Sequence, residues 1–240
     1  MVNLVKKFLD FLFPPICDIC GERVQSHGAL CAKCWSSFNW ISNPKCSKCG
    51  YPFPADLDLG PCPLCPHCAA GDCELDFIRS AFVYDDFSKN IMLPFKHASQ
   101  LKYQTIMSRA MINALRDMDF SVDVVIPVPL AWKRLFKRGY NQAAVLARPI
   151  AKHFNADLDF DSIHRKYKSD MGHKTAKQRR QNVHGVFKVI DKNKIIGKKI
   201  LLVDDVMTSG ATFYELNRVL RKAGAANVYA VSFCRVVRAI

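Results

Sequence analysis

The densest chemistry in the chain lies between Lys199 and Thr212, which reads K-I-L-L-V-D-D-V-M-T-S-G-A-T. A short apolar run, Ile200 to Val203, ends in two adjacent carboxylates, Asp204 and Asp205. Val206 and Met207 follow, then the small-residue turn Thr208-Ser209-Gly210-Ala211-Thr212, then a helix-like segment from Phe213 to Lys222. A loop of this kind at a helix start offers backbone N–H groups and hydroxyls to a phosphate. Paired carboxylates accept hydrogen bonds from vicinal hydroxyls or face a metal ion. The order strand, acidic pair, Thr/Ser/Gly loop and helix predicts a pocket for a phosphorylated sugar. The same residues also allow a plain capped strand–helix turn. No Gly-Lys-Ser/Thr is present, so the loop is not of the Walker type and an ATPase is not indicated.

Cysteine supplies the second chemistry. Ten of the eleven cysteines lie between Cys17 and Cys73; only Cys234 lies beyond. They form the pairs Cys17–Cys20, Cys31–Cys34 and Cys46–Cys49, and a crowded group of Cys62, Cys65, Cys68 and Cys73. Cys-x-x-Cys on a tight turn lets two thiolates reach one ion, and two such knuckles complete a tetrahedral zinc site. Gly21 and Gly50 each follow the second cysteine of a pair, where permissive backbone is needed. The sequential assignment is Cys17, Cys20, Cys31 and Cys34 for one ion and Cys46, Cys49, Cys65 and Cys68 for another. Cys62 is an alternative ligand, His67 is a substitute for a thiolate, and a crossed pairing of knuckles stays open. Redox dithiols are the competing reading, but the repeated pairs lack a βαβ context. Closed four-sulfur sites hold structural zinc, which supplies much of the folding energy of a segment with little core.

The elements that must position these groups divide the chain near residue 75. Residues 1–75 form a Cys-rich module and 76–240 a larger α/β domain. The formal net charge is +14, and the first 75 residues, with six Lys/Arg and seven Asp/Glu, contribute none of the excess. The basic C-terminal part therefore faces an anionic partner, either the phosphates of a small substrate or a nucleic-acid backbone. Residues 3–12 place Leu4, Val5, Phe8, Leu9 and Leu12 at helical spacing and read as a helix docked on the body, stopped by Pro14-Pro15. The start lacks the order of a signal peptide. No apolar run approaches the ~18 residues of a spanning helix. With clustered Cys pairs read as metal sites, a reducing cytoplasm is the expected home.

From Ile78 the texture becomes that of alternating strands and helices. Ile78 to Tyr84 reads as a strand, and Asp86 to His97 as a helix that Pro94 kinks or breaks. Tyr103 to Asp117 is a second helix, and Asp123 to Val128 is a buried strand ending in Pro127-Val128-Pro129. A basic loop with Lys133 and Arg134 leads to a helix over 143–154. Asp159 to His164 is a strand candidate, 165–182 a basic loop with some helix, and Phe187 to Ile190 a short strand. Lys199–Val203 and Asn227–Arg235 flank the 213–222 helix. This alternation implies a parallel sheet with right-handed crossovers, and ligands bind at the carboxyl ends of such strands.

Several of these stretches resemble one known family. They are L-F-P-P-x-C-x-x-C-G at 12–21, F-K-H at 95–97, I-P-V-P-L at 126–130, K-R-G-Y-N-Q-A at 137–143, R-x-x-N-V-x-G-V-F at 179–187 and L-L-V-D-D-V-M-T-S-G-A-T at 201–212. The last resembles the PRPP-binding motif of type I phosphoribosyltransferases. The set together, with the Cys pairs, resembles the ComF family of competence-associated phosphoribosyltransferase-like proteins and its GntX-type relatives. One departure is Met171-Gly172-His173-Lys174-Thr175, where the family usually has a Gln before a Gly/Leu/Ser stretch.

The resemblance implies a zinc ribbon followed by a type I phosphoribosyltransferase-like parallel sheet flanked by helices. It implies a cytoplasmic role in handling single-stranded DNA during natural transformation. In that reading Asp204 and Asp205 hold ribose hydroxyls, with magnesium bridging them to pyrophosphate. Val206 to Thr212 receive the 5′-phosphate, and Lys133 and Arg134 the pyrophosphate. Arg138, Tyr140, Asn141, Gln142, Lys174, Lys177, Arg179 and Arg180 contact substrate or nucleic acid. Three functions of different class follow: a single-strand-binding adaptor that keeps the phosphosugar pocket, an active phosphoribosyltransferase with an unknown acceptor, and a zinc-ribbon hub for a helicase or recombination protein.

Overall fold

The computed structural model describes residues 10–97, 100–166 and 183–237. Its frame is a parallel sheet of strands β1 (Phe77–Val83), β2 (Val124–Pro127), β3 (Asp157–Leu158), β6 (Lys199–Met207) and β7 (Asn227–Arg235). The order across it is β1-β7-β6-β2-β3, all parallel. A separate antiparallel hairpin joins β4 (Ile163–Arg165) to β5 (Phe187–Val189).

The apolar runs dictate two covered faces, because side chains alternate along a strand. Leu201 and Val203 of β6, with Tyr229, Val231 and Phe233 of β7, pack into one core. Ile200, Leu202, Val228 and Ala230 pack into the other. Helices α3 (Asp86–His97), α4 (Gln104–Asn113) and α6 (Gln142–Phe154) cover the first face through Ile91, Met107, Met111, Leu146 and Ile150. Helix α7 (Ala211–Lys222) covers the second through Phe213, Leu216 and Leu220.

Five local expectations are corrected. The strand expected to stop at Val203 continues to Met207, so both acids lie within β6. Its neighbour β7 pairs Asp204 with Ser232, Val206 with Cys234 and Met207 with Arg235, and tertiary pairing overrides the weak strand propensity of Asp. The expected basic loop is in fact helix α5 (Trp132–Arg138), closed by Gly139 at φ 75° with its N–H on the Leu135 carbonyl. Helix α3 runs through Pro94 as one element, since Ile91, Met92 and Phe95 on either side are buried in the same core. Of the strand candidate at 159–164 only Ile163 and His164 are extended, as part of β4, and a shorter strand β3 ends just before it. Between them Asp159 Oδ1 accepts from Asp161 N (3.0 Å) and Ser162 N (3.2 Å), which turns the chain. The second helix is also shorter than expected, a 3₁₀ turn at Leu101–Tyr103 leading into α4. Of the expected helix over 3–12 only its last residues are described, and the 167–182 segment, with Lys174, Lys177, Arg179 and Arg180, lies outside the described residues.

The N-terminal module contains α1 (Ala32–Ser36) and α2 (Pro66–Ala69) and brings its cysteines together as the sequential assignment requires. Cys17, Cys20, Cys31 and Cys34 form one group, and Cys46, Cys49, Cys65 and Cys68 the other. In each the Sγ atoms lie within 4.8 Å of one another. Sulfurs about 2.3 Å from a tetrahedral zinc stand roughly 3.8 Å apart. Cys20–Cys31 at 3.5 Å and Cys49–Cys65 at 3.6 Å fit that geometry. Backbone N–H groups of Cys49 and Cys65 both point at Cys46 Sγ (3.4 Å each), as a thiolate requires. Cys62 is exposed, and neither it nor buried Cys73 belongs to a group.

This module does not hang from the sheet by a tether. Residues 39–41 run along β1, with Ile41 N on Ala81 O (3.0 Å) and Val83 N on Asn39 O (2.9 Å). Phe38 stacks on Phe82 inside the main core. The second knuckle is tied by two buried arginines. Arg79 donates to the carbonyls of Ser47 (2.8 Å) and Ile78 (2.9 Å), and Arg235 to that of Cys49 (2.6 Å). A four-thiolate zinc site carries a net negative charge, and these guanidiniums supply the opposite sign beside it. Gly50, at φ +66°, sits where a Cβ would stand 2.9 Å from the Ile78 carbonyl, so the knuckle turn can only be glycine.

Metal analysis of the native protein is expected to give about two zinc ions per chain. Cys49→Ser should leave about one and lower stability by several kcal/mol, because metal binding here is folding energy. A native count near one would overturn the two-site assignment.

Candidate functional site

A cavity of ≈ 700 Å³ opens at the carboxyl edge of the sheet. Its floor is the end of β6, and one wall is the turn into α7. Asp204, Asp205, Val206, Thr208, Ser209, Ala211 and Thr212 all line it. Met207 points into the core and Gly210 lines no wall, so these two shape the loop from behind. Gly210 caps α7 at φ +73°. A Cβ there would stand 2.8 Å from the Tyr214 ring and 2.9 Å from Met207 Cε. The Tyr214 ring in turn stacks on His67 of the second zinc knuckle at 5.6 Å. The zinc ribbon thus presses on the helix whose start forms the loop. His67 serves in this stack and not as a zinc ligand.

The opposite wall comes from β2 and the elements after it. Val128, Pro129 and Leu130 form its rim, followed by Arg134 and Arg138 on α5 and Asn141 and Gln142 at the start of α6. Lys133 lies on α5 but outside the lining. Asn141 has the capping role that its position before a helix allows. Its Oδ1 accepts from Ala143 N (3.0 Å), and its Nδ2 donates to Val128 O (3.1 Å), fixing the rim. Arg138 Nη1 donates to Gln142 Oε1 (3.0 Å). Gln142 is 2% exposed, and its Nε2 makes no hydrogen bond among the described residues, leaving one buried donor unused at the pocket wall. Tyr140 does not line the cavity; its hydroxyl donates to the Phe95 carbonyl and ties this segment to the end of α3.

That tie positions a residue that the sequence pattern alone does not mark. Lys96 reaches into the cavity, with Nζ 3.3 Å from Asp205 Oδ2. The F-K-H stretch was its signal, but nothing in the local pattern says that the C-terminus of a helix so far upstream meets the acidic pair. Tyr84, Arg165, Val183 and Val236 were missed for the same reason. Arg165, on β4, donates to Pro129 O (3.4 Å), and Gly185 near β5 is held by Glu215 of α7 (2.8 Å). The hairpin is therefore anchored across the cavity mouth.

Burial, then the neighbouring Asp205 charge, push the Asp204 carboxyl up to about 7. The Asp205 backbone N–H, which donates to Asp204 Oδ1 (2.8 Å), opposes the shift, and so do the Lys96 and Arg165 charges. One carboxylate is thus paired with an ammonium and the other held near neutrality, a floor suited to hydroxyl groups and to additional positive charge. Cations of α5 and β4 face it across the cavity, where anionic groups would sit.

The fold and this site define a double zinc ribbon joined to a phosphoribosyltransferase-like domain. Comparison with family models agrees: the double zinc ribbon domain matches residues 8–69, and the phosphoribosyl transferase domain matches residues 140–238. Competence protein F of Haemophilus influenzae is 26% identical over 82% of this chain and 93% of its own length. DNA utilization protein YhgH of Escherichia coli O157:H7 is 25% identical over 92% of this chain and 91% of its own. Competence protein ComFC of Bacillus subtilis is 27% identical over 86% and 84%. Among solved structures, a glutamine PRPP amidotransferase from B. subtilis aligns with a TM-score of 0.36 and 17% identity over 56% of this chain and 26% of that one, too partial to carry an inference. Over most of its length the chain is thus similar to the competence protein F, ComFC and YhgH proteins.

Two outcomes test this geometry. A carboxyl raised from 3.8 to about 7 on folding stabilises the protein fully below its unfolded value, and that contribution is lost as pH rises through about 7. Asp204→Asn should therefore raise the unfolding midpoint of the ligand-free protein at pH 8 and flatten its decline between pH 4 and 8, read by thermal melts. Gly210→Ala should cost at least ~1–2 kcal/mol for the left-handed backbone alone, and more for the Tyr214 clash. A neutral result in chemical denaturation would contradict the loop geometry.

Proposed function

We propose that the chain binds the magnesium complex of PRPP, or a related phosphosugar or nucleotide, and acts in cytoplasmic handling of single-stranded DNA during natural transformation. The observation that carries the reading is the acidic pair at the end of β6. It adjoins the Thr208–Thr212 turn and faces Arg134 and Arg138 across one cavity. Asp204 and Asp205 accept the ribose hydroxyls. Thr208, Ser209 and the N–H groups opening α7 receive the 5′-phosphate. Arg134 and Arg138, with the Val128–Leu130 rim, receive the pyrophosphate, and Lys133 adds charge at the mouth. Magnesium supplies charge neutralisation at the pyrophosphate and keeps most of its water shell. The names of the relatives, which speak of competence and DNA utilization, support the DNA-handling part.

Binding is favoured over turnover. The acidic floor and cationic wall account for phosphosugar recognition, whereas the described lining offers no evident nucleobase slot. The net charge of +14 and the basic 165–182 segment, with Lys174, Lys177, Arg179 and Arg180, support contacts to a nucleic-acid backbone.

Titration calorimetry with PRPP should give saturable, magnesium-dependent heat, weakened at least about tenfold in Asp204→Asn/Asp205→Asn. Absence of heat at millimolar PRPP would sink the phosphosugar reading. Pyrophosphate release with a panel of bases or amines, above that of the same variant, would instead establish a transferase. Oligonucleotide affinity should fall steeply between about 50 and about 200 mM salt; a flat profile removes the electrostatic basis for DNA binding.

A further inference from the structure

Helix α5 is unusual in burying none of its residues. Trp132 is 70% and Phe136 82% exposed, on the same short element as Lys133, Arg134, Lys137 and Arg138. At about 100° per residue the helix positions separate into stripes. Trp132 and Phe136, four apart, share one side. Lys133 and Lys137 form the adjacent stripe, and both stripes face solvent. Arg134 and Arg138 form a third stripe, and both line the cavity. Leu135, half-buried, turns toward the body.

Two large rings left in water cost free energy that a structural helix has no reason to incur. The Gly139 cap and the fixed Val128–Asn141 rim hold the helix in place, so the exposure is built in. Resting on the phosphosugar reading of the adjacent cavity, we infer that the outer face of α5 is a base-stacking platform for single-stranded nucleic acid. Trp132 and Phe136 stack on successive bases. Lys133 and Lys137 hold the backbone phosphates beside them. Arg134 and Arg138 stay with the cavity. Single strands fit this surface because their bases offer free ring faces, which a duplex hides. The pairing of a ring stripe with a lysine stripe matches the alternation of bases and phosphates along a strand. An anionic membrane would also attract cations and aromatics. However, the apolar stripe is only two rings on a helix of 7 residues, and amphipathic helices that lie on membranes bury a longer continuous face.

The test uses the full-length, zinc-loaded protein and an oligo-dT of about 20 nucleotides, with fluorescence anisotropy for affinity and calorimetry for PRPP. Trp132→Ala and Phe136→Ala should each weaken oligo-dT binding about five- to a hundredfold, with the salt slope little changed. Lys133→Ala/Lys137→Ala should instead make the log–log salt slope shallower by about 0.7 for each phosphate no longer neutralised. Trp132→Phe should restore most of the affinity, since a ring remains. All ring variants should retain native circular dichroism and PRPP heat, because neither ring lines the cavity. Unchanged oligo-dT affinity in the double ring variant overturns the platform even if PRPP binds normally. Loss of PRPP heat in the wild type would strike the phosphosugar reading instead. Equal or tighter binding of duplex DNA, or ring-dependent binding to phosphatidylserine vesicles without ring-dependent oligo-dT binding, also overturns it.

Discussion

The parallel pairing of β6 with β7 is the constraint on which the rest depends. It runs from Lys199 opposite Asn227 to Met207 opposite Arg235, well past Val203, the last aliphatic of the apolar run. That extra length holds Asp204 and Asp205 extended at the pocket floor, where a free chain of Asp-Asp-Val-Met would turn. It also delivers Arg235 to the Cys49 carbonyl, so one ladder sets both the acidic pair and the seat of the second knuckle. The buried Ser80–Ser232 hydrogen bond (2.7 Å) carries the same register across to β1.

The two modules consequently share a mechanical path. From the Cys46–Cys68 group the contacts pass through His67 to Tyr214 and from Tyr214 to the space above Gly210. A second path passes through Arg235, whose neighbour Val236 lines the cavity. The ribbon accordingly braces the helix and the strand that border the cavity, without itself lining it. Its first group, Cys17–Cys34, packs with Phe87 at the start of α3, the helix that ends in Lys96 and His97.

Motifs whose function is local were legible in the sequence. The knuckles, their sequential pairing and the small-residue turn after the acidic pair each depend on short stretches of sequence. The parallel strands were legible from continuous apolar runs. What could not be read was assembly at a distance. Lys96 and Arg165 reach the acidic pair only because α3 and the β4–β5 hairpin pack over the sheet edge. The strand-like length of β6 came from its neighbour, and the helicity of 132–138 was hidden by a composition that reads as a charged loop. The Gly139 cap was the available signal, since glycine just after a basic turn marks a helix end.

The Lys96–Asp205 pair gives the cavity a resident counterion. An ammonium 3.3 Å from the carboxylate is tethered, so it competes at a concentration no dilution can reduce. Any cation entering with a ligand must displace or share with it. The pair ties one acid of the floor to an ammonium, while Arg134, Arg138 and Arg165 leave the lining with more positive than negative charge.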